Sequence, residues 1–316
     1  MNARTAVITG VGWAVAGLSG GADLLEPDTR SAPGFAPDTA LVGRGLRHKD
    51  RASKLALKAA QLGLKDAGLL GADLADAAVI VSSNLGNLDT VCDFLDIIAE
   101  ETVTGISPMR VPHMSSNVTA CWVALEHGIR GPNITLCNGA TSGLDAASWA
   151  RNMIMAGRSD IVVVIGVEPD TPPVARFHRE QGAWAWLDGA VALVVEASGH
   201  AGDRGATPLA EISGYGRAAE TGEAVRLALG GERPEIVLGL GETGLDCPSL
   251  DLTGRLGRCS GALGVLQCAV GAERVVRTGG GAVLAVAGGA DSEGDDPDMV
   301  AAVLLARAHE TKGISR

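Results

Sequence analysis

Residues 127–147 read HGIRGPNITLCNGATSGLDAA. Within them a turn at Gly131-Pro132-Asn133 feeds a short strand over 134–137, which gives way to the small-residue run Asn138-Gly139-Ala140-Thr141-Ser142-Gly143. A helix is expected to open near Ser142 and to run through Ala146, Trp149 and Met153 to Gly157; the strongly apolar strand 160–167, DIVVVIGV, follows it. Strand, tight turn, helix and buried strand in succession are the pattern of a layered α/β body.

The alternation continues in both directions. Residues 4–10, RTAVITG, read as a buried strand, and the Gly10-x-Gly12 that follows is a fragment of a dinucleotide-loop pattern too short to carry weight. Residues 50–68 form an amphipathic helix with Leu55, Leu57, Ala60, Leu62 and Leu64 at near-helical spacing, and 77–82 a buried strand. A second helix over 88–101 carries an apolar stripe of Leu88, Val91, Leu95 and Ile98, which by itself reads as ordinary core packing. Another helix is expected over 118–130. An irregular, proline-bearing stretch after Glu168 leads to a strand over 190–196. Beyond a Gly/Asp-rich break at 198–205, strands at 209–214, 235–240, 282–287 and 300–305 alternate with helices at 223–229 and 260–270. The reading is therefore two α/β halves, 1–198 and 199–316, packed as one compact body and suggestive of an internal duplication.

Composition sets limits on the chemistry. With 46% hydrophobic residues, 44 glycines and only 3% aromatics, the core is built from Ala, Val, Leu and Ile. A formal net charge of -11 disfavours nucleic acid and anionic membrane as partners. The six cysteines form no CxxC pair and no metal-ligand spacing, so free buried thiols are expected, with no disulfide, no metal and no cofactor. No window approaches the roughly 20 apolar residues that span a bilayer, and Met1-Asn2-Ala3-Arg4-Thr5 runs straight into a strand; a cytoplasmic protein without a signal peptide is expected.

The 127–147 run resembles the β-ketoacyl synthase segment that reads roughly HGLRGPS, a short strand, then Thr-Ala-Cys-x-Ser-Gly. Further pieces fall in that family's order: RTAVITGVG at the start, DRASKLALKAA, SPMRVP, GRSDIVVVIGVE, LDGAVALVVE, EISGYG and TGRLGRCSGALGVLQ. The resemblance implies the thiolase fold, five αβαβα layers from two pseudo-repeated βαβαβαββ halves, here with shortened loops. It also implies a nucleophilic cysteine at the position where this chain has Ala140, and a methyl group forms no acyl-enzyme. The family's two C-terminal-half histidines are missing as well: Arg255 follows Thr253-Gly254 where one is expected, and Leu240 begins the closest match to the other.

These departures identify the sequence as similar to the chain-length factor of type II polyketide synthases: a pseudoenzyme, inactive alone, that heterodimerises with an active ketosynthase. By that resemblance, Leu88, Val91 and Leu95, flanked by Thr90 and Phe94, gate a tunnel for the growing acyl or polyene polyketide chain. Ile134, Thr135, Leu136 and Cys137, with His113, Met114 and Asn117, meet the partner subunit, and the acyl carrier protein docks mainly on that partner. Two alternatives stay open: an acyltransferase using Cys137 as a displaced nucleophile with His127 or His113, although Cys137 is better read as a packed core thiol, and a homodimeric thiolase-fold binding or scaffold protein.

Overall fold

The computed structural model describes residues 4–26, 34–179, 185–239, 241, 243–289 and 299–308. Ten strands hydrogen-bond into one sheet: β1 (Ala6–Val15), β2 (Ala78–Ser82), β3 (Asn133–Leu136), β4 (Ile161–Glu168), β5 (Gly189–Ala197), β6 (Ala210–Ala218), β7 (Ile236–Leu238), β8 (Ser249–Leu250), β9 (Val283–Ala287) and β10 (Val300–Ala306). Their order is β3-β2-β4-β5-β1-β6-β10-β9-β7-β8, a palindrome about the β1–β6 junction. In each half the two outer pairings are parallel and the two inner ones antiparallel. This is the arrangement expected of a duplicated α/β unit, and it makes the fold thiolase-like. The halves join through a short antiparallel ladder, Val7 opposite Glu211 and Ile8 opposite Ala210.

Seven helices of eight or more residues occur among the described residues: α1 (Arg51–Asp66), α2 (Leu88–Glu101), α3 (Val118–His127), α4 (Ser142–Met155), α5 (Pro172–Arg179), α6 (Thr221–Leu229) and α7 (Leu263–Thr278). Strand alternation decides the layering, because successive side chains enter different cores. In β10, Ala301, Val303 and Leu305 face the central core while Val300, Ala302 and Leu304 face an outer one. In β5, Val191, Leu193 and Val195 point inward while Ala190, Ala192 and Val194 pack under α1. Helices α4 and α7 touch each other and strands of both halves, so they form the middle layer; α1 and α3 cover one outside and α6 the other.

Glycine sets how closely these layers approach. A Cβ on Gly12 of β1 would fall on the carbonyl oxygen of Ala59 in α1, and one on Gly216 of β6 would fall on that of Ala224 in α6. The Gly10-x-Gly12 pattern is therefore a helix-packing site rather than a ligand loop, and Gly214-x-Gly216 is its counterpart in the second half. Between the central helices both backbones are close-packed: a Cβ on Gly143 of α4 would stand 2.7 Å from the amide nitrogen of Gly264 in α7, and one on Gly264 would collide with that of Leu144.

The helix over 88–101 has the expected bounds, and most other elements differ from their expected ends by one or two residues. α7 is longer, continuing to Thr278 on the buried Val270, Gly271, Ala272 and Val275. The prolines after Glu168 start α5 instead of preventing a helix, since Pro172 and Pro173 sit in its first turn, where no amide donor is required. The thiols expected to be buried divide: Cys259 and Cys268 are buried, Cys92, Cys121 and Cys247 are half-buried, and Cys137 is exposed. No described helix is long and apolar enough to cross a membrane.

G264A is expected to lower the unfolding free energy by about 1–3 kcal/mol, because the backbone of α4 must yield to the new methyl. G45A, whose Cβ meets nothing within 4 Å, provides the comparison in thermal denaturation; equal melting of the two variants would show that the helix crossing is not close-packed.

Candidate functional site

Helix α4 begins at the centre of the molecule, and its approach fixes the candidate site. β3 ends at Leu136; Cys137 and Asn138 lead into a single tight turn, Gly139–Thr141, with Gly139 in the left-handed region at φ 79°. An equivalent turn, Ser260–Ala262, precedes α7, and the two turns touch. Ala140 is half-buried in the first turn, at the N-terminal end of the central helix.

Two sets of polar groups hold this turn. In one, the carboxamide of Asn84 pairs with Gly139 at two points: its Nδ2 donates to the Gly139 carbonyl at 3.1 Å and its Oδ1 accepts from the Gly139 amide at 3.3 Å. The same Nδ2 donates to Ser260 Oγ at 2.8 Å. Ser260 is one of two described non-glycine residues with positive φ, at 42°. In the other, the buried Asp145 carboxylate accepts from Tyr215 at 2.6 Å, from Thr141 at 3.0 Å and from Asn138, with the Arg217 guanidinium 3.4 Å away. Burial and the adjacent carboxylate push the Tyr215 phenol up, so it stays a donor.

Beneath Asn84 lies Glu168, the last residue of β4. Its carboxylate accepts from the Asn84 amide at 2.7 Å, the Gly261 amide at 3.0 Å, the Leu85 amide at 3.2 Å and Ser83 Oγ at 3.3 Å. Those donors oppose the rise in pKa, but complete burial outweighs them and raises the group to about 7. Neither Asn84 nor Glu168 stands out in the sequence reading; the signals available were a lone acid closing an apolar strand and an amide in the Ser82-Ser83-Asn84 link between strand and helix.

The expected site residues separate into groups. Cys137, read as a core thiol, is exposed at the end of the edge strand β3; its Sγ lies 3.7 Å from the Asn84 carbonyl, and partial desolvation of the sulfur together with the Glu168 charge raises its pKa. No hydrogen bond joins it to either histidine among the described residues. His113 packs on Trp122 with ring centroids 5.6 Å apart, and His127, held toward its neutral form by burial, lines a cavity of about 590 Å³ with Lys54 and Lys58. Arg255 donates to the Leu24 carbonyl, whereas residues 260–262 touch the turn; Arg258 stacks over Trp186 with its guanidinium carbon 5.5 Å from the ring centre. Leu240 lies outside the described residues.

In the gate group, Phe94 is fully buried, Leu88 and Val91 are half-buried, and Leu95 is 58% exposed. Thr90 opens onto a cleft of about 1060 Å³ whose lining includes Asp93, Arg110 and Trp122 but not Leu88, Val91 or Leu95. Ile134, Thr135 and Leu136 lie on the free edge of the sheet. Met114 and Asn117 lie near one another: the Met114 carbonyl accepts from Asn87 at 2.8 Å, and Asn117 from Ser115 at 2.5 Å.

The Glu168 pKa has a definite sign for stability. A folded value above the unfolded 4.5 means that the native chain keeps a proton the unfolded chain has lost. The contribution is complete below pH 4.5 and is lost as pH rises through about 7, a change of roughly 3 kcal/mol. Melting temperatures recorded from acid to alkaline pH should fall through that window in the wild type and fall less in E168Q; parallel profiles would remove Glu168 as the cause.

Residues 31–185 match the β-ketoacyl synthase N-terminal domain family. Among similar proteins, 3-oxoacyl-[acyl-carrier-protein] synthase 2 of Vibrio cholerae is 25% identical over 262 residues, 68% of this chain and 63% of that enzyme. A putative polyketide β-ketoacyl synthase 2 of Streptomyces virginiae is 28% identical over 171 residues, 52% of this chain and 42% of that protein. The chain thus covers less than two thirds of the length of either relative. Among solved structures, the ishigamide ketosynthase/chain length factor superposes with TM-score 0.76 at 24% identity, covering 96% of this chain and all of that one. AntDE:AntF, a type II polyketide synthase acyl-carrier protein in complex with its hexaketide-bound ketosynthase, gives 0.79 at 17% identity over 98% of this chain and all of the matched chain. The family match thus spans just under half of the chain, at residues 31–185, and the chain has the thiolase-like fold seen in these ketosynthase structures.

Proposed function

We propose that this chain is the non-catalytic chain-length factor of a type II polyketide synthase, paired with an active ketosynthase. The observation that carries this reading is the turn Gly139–Thr141: it stands at the N-terminal end of the central helix, where the ketosynthase resemblance calls for a thiolate, and it presents the methyl group of Ala140. The thiol nearest in sequence, Cys137, is shifted toward its neutral form and lacks a hydrogen-bonded histidine among the described residues. Acyl transfer then belongs to the partner subunit, and the work of this one is steric.

The surface supports a large partner. Among the described residues β3 has a neighbour on one side only, and it is flanked by α3 and α4, which carry the exposed Leu125 and Trp149. An open edge with apolar helices on both faces suits pairing with an equivalent strand across a two-fold axis. The exposed residues Leu95 and Ile98 of α2, with Val103, Met109 and Val111 in the segment packed against it, form an apolar surface that a second subunit would cover. There Leu88, Val91 and Leu95 would border the tunnel for the growing polyketide, and with a net charge of -11 the carrier protein would dock mainly on the partner. The ishigamide ketosynthase/chain length factor and the AntDE:AntF carrier-protein complex share this fold and are consistent with this role.

Co-expression with a cysteine-bearing ketosynthase from the same source is expected to give a one-to-one heterodimer by native mass, active only as the pair. In that pair L95F should shorten the product and L95A lengthen it, read by mass spectrometry. A stable homodimer indifferent to the ketosynthase would favour the scaffold reading, and unchanged product length would remove α2 from the tunnel.

A further inference from the structure

The structure assigns Asn84 a role as an internal plug: its side chain occupies the amide and carbonyl of Gly139, beside position 140, closing that turn to an acyl thioester. The inference rests on reading Ala140 as the vacated nucleophile position, and not on the heterodimer.

The first amides of a helix have no partner within the helix and are available to an incoming anion or polarised carbonyl. In the turn that leads into α4 the foremost of these amides, that of Gly139, is already used. The Gly139 amide donates to Asn84 Oδ1 at 3.3 Å, and the Gly139 carbonyl accepts from Asn84 Nδ2 at 3.1 Å. The second proton of Nδ2 goes to Ser260 Oγ at 2.8 Å, so both amide protons of Asn84 are used. The carboxamide therefore spans the two turns that precede α4 and α7.

The plug is held from behind. Glu168 fixes the Asn84 amide at 2.7 Å and the Gly261 amide at 3.0 Å, so the plug's own backbone and that of the turn before α7 are anchored to one carboxylate. A Cβ on Gly261 would lie 3.1 Å from the Asn84 nitrogen, which leaves no slack between those segments. Ser260, the residue that receives the bridge, holds a left-handed conformation unfavourable for a residue with a side chain. Such strain persists where the surroundings over-determine it. Two conditions thus block chemistry at this turn: position 140 lacks a thiol, and the donor beside it is occupied by the protein's own amide.

Restoring the thiol alone should therefore not restore acyl transfer. In A140C, the introduced thiolate would attack the carbonyl of octanoyl-N-acetylcysteamine; a carbon–sulfur bond forms to the protein, the original one breaks, and N-acetylcysteamine leaves as its thiol after taking a proton. Intact-mass spectrometry with peptide mapping, using the wild type to subtract the six native cysteines, reads the rate at position 140. The expected result is that A140C/N84G acylates roughly a hundredfold faster than A140C or more, the scale of one oxyanion-stabilising donor. A140C/N84D, which keeps the acceptor for the Gly139 amide, should stay as slow as A140C. N84A replaces N84G if only N84A keeps a wild-type melting temperature. Equal rates in A140C and the opened variant, zero included, overturn the proposal, as does an N84D variant as fast as N84G. Loss of folding in both N84G and N84A would make Asn84 a structural tie and would also overturn it. No partner subunit takes part, so a chain that fails to pair with a ketosynthase leaves the outcome unchanged.

Discussion

The close crossing of α4 and α7 is the constraint on which the other layers depend. At Gly143 and Gly264 the two helix backbones approach until neither position accepts a Cβ without movement. Because each helix also packs on strands of both halves, this distance sets the thickness of the middle layer and hence the separation of the two halves of the sheet. The outer layers repeat the device with Gly12 under α1 and Gly216 under α6. A chain with few aromatics can build such a body because small side chains let backbones meet, and dispersion between close-packed aliphatic groups replaces the area that large rings would bury.

The same crossing creates the candidate site. Both central helices start with a tight turn, and bringing their N-termini together places Gly139–Thr141 against Ser260–Ala262. Amides of both turns and the positive ends of two helix dipoles then converge there. Buried acceptors are needed there, and Glu168 and Asp145 supply them, each drawing donors from more than one chain segment. Their anchoring is a requirement of the fold, met whether or not position 140 carries a reactive group.

Periodicity and turn chemistry are local, and so they were legible in the sequence. The helix bounds at Leu88 and Ser142 and the apolar strands β4 and β5 follow from them. The two-residue strand β8 carries no periodicity that a sequence could display. Cys137 is exposed at the end of β3, whose place at the edge of the sheet the order of strands decides and the residues of β3 do not. The apolar stripe of α2 was legible as a stripe, but its direction was not: Phe94, the helix's fully buried anchor, turns inward and leaves Leu95 in solvent. Arg255 was assigned by its place after Thr253-Gly254, whereas its hydrogen bond goes to Leu24, 231 residues away in sequence. The partners of Asn84 at Gly139 and Ser260 lie 55 and 176 residues away, and no local pattern announces them.

An inert side chain at position 140 is compatible with an unaltered fold for a physical reason. The turn is held through its backbone by Asn84, and through Asn138 and Thr141 by Asp145; none of these contacts uses the side chain of residue 140. Exchanging a thiol for a methyl group there removes a small half-exposed group and leaves no buried donor or acceptor unpaired, so its effect on stability is slight. Chemistry at such a turn can be lost without disturbing the architecture, whereas loss of the Glu168 carboxylate would leave several donors unsatisfied at the point where three chain segments meet. The side chains that keep the turn in place are thus distinct from the one a nucleophile would occupy, and the fold can persist in a role that is steric.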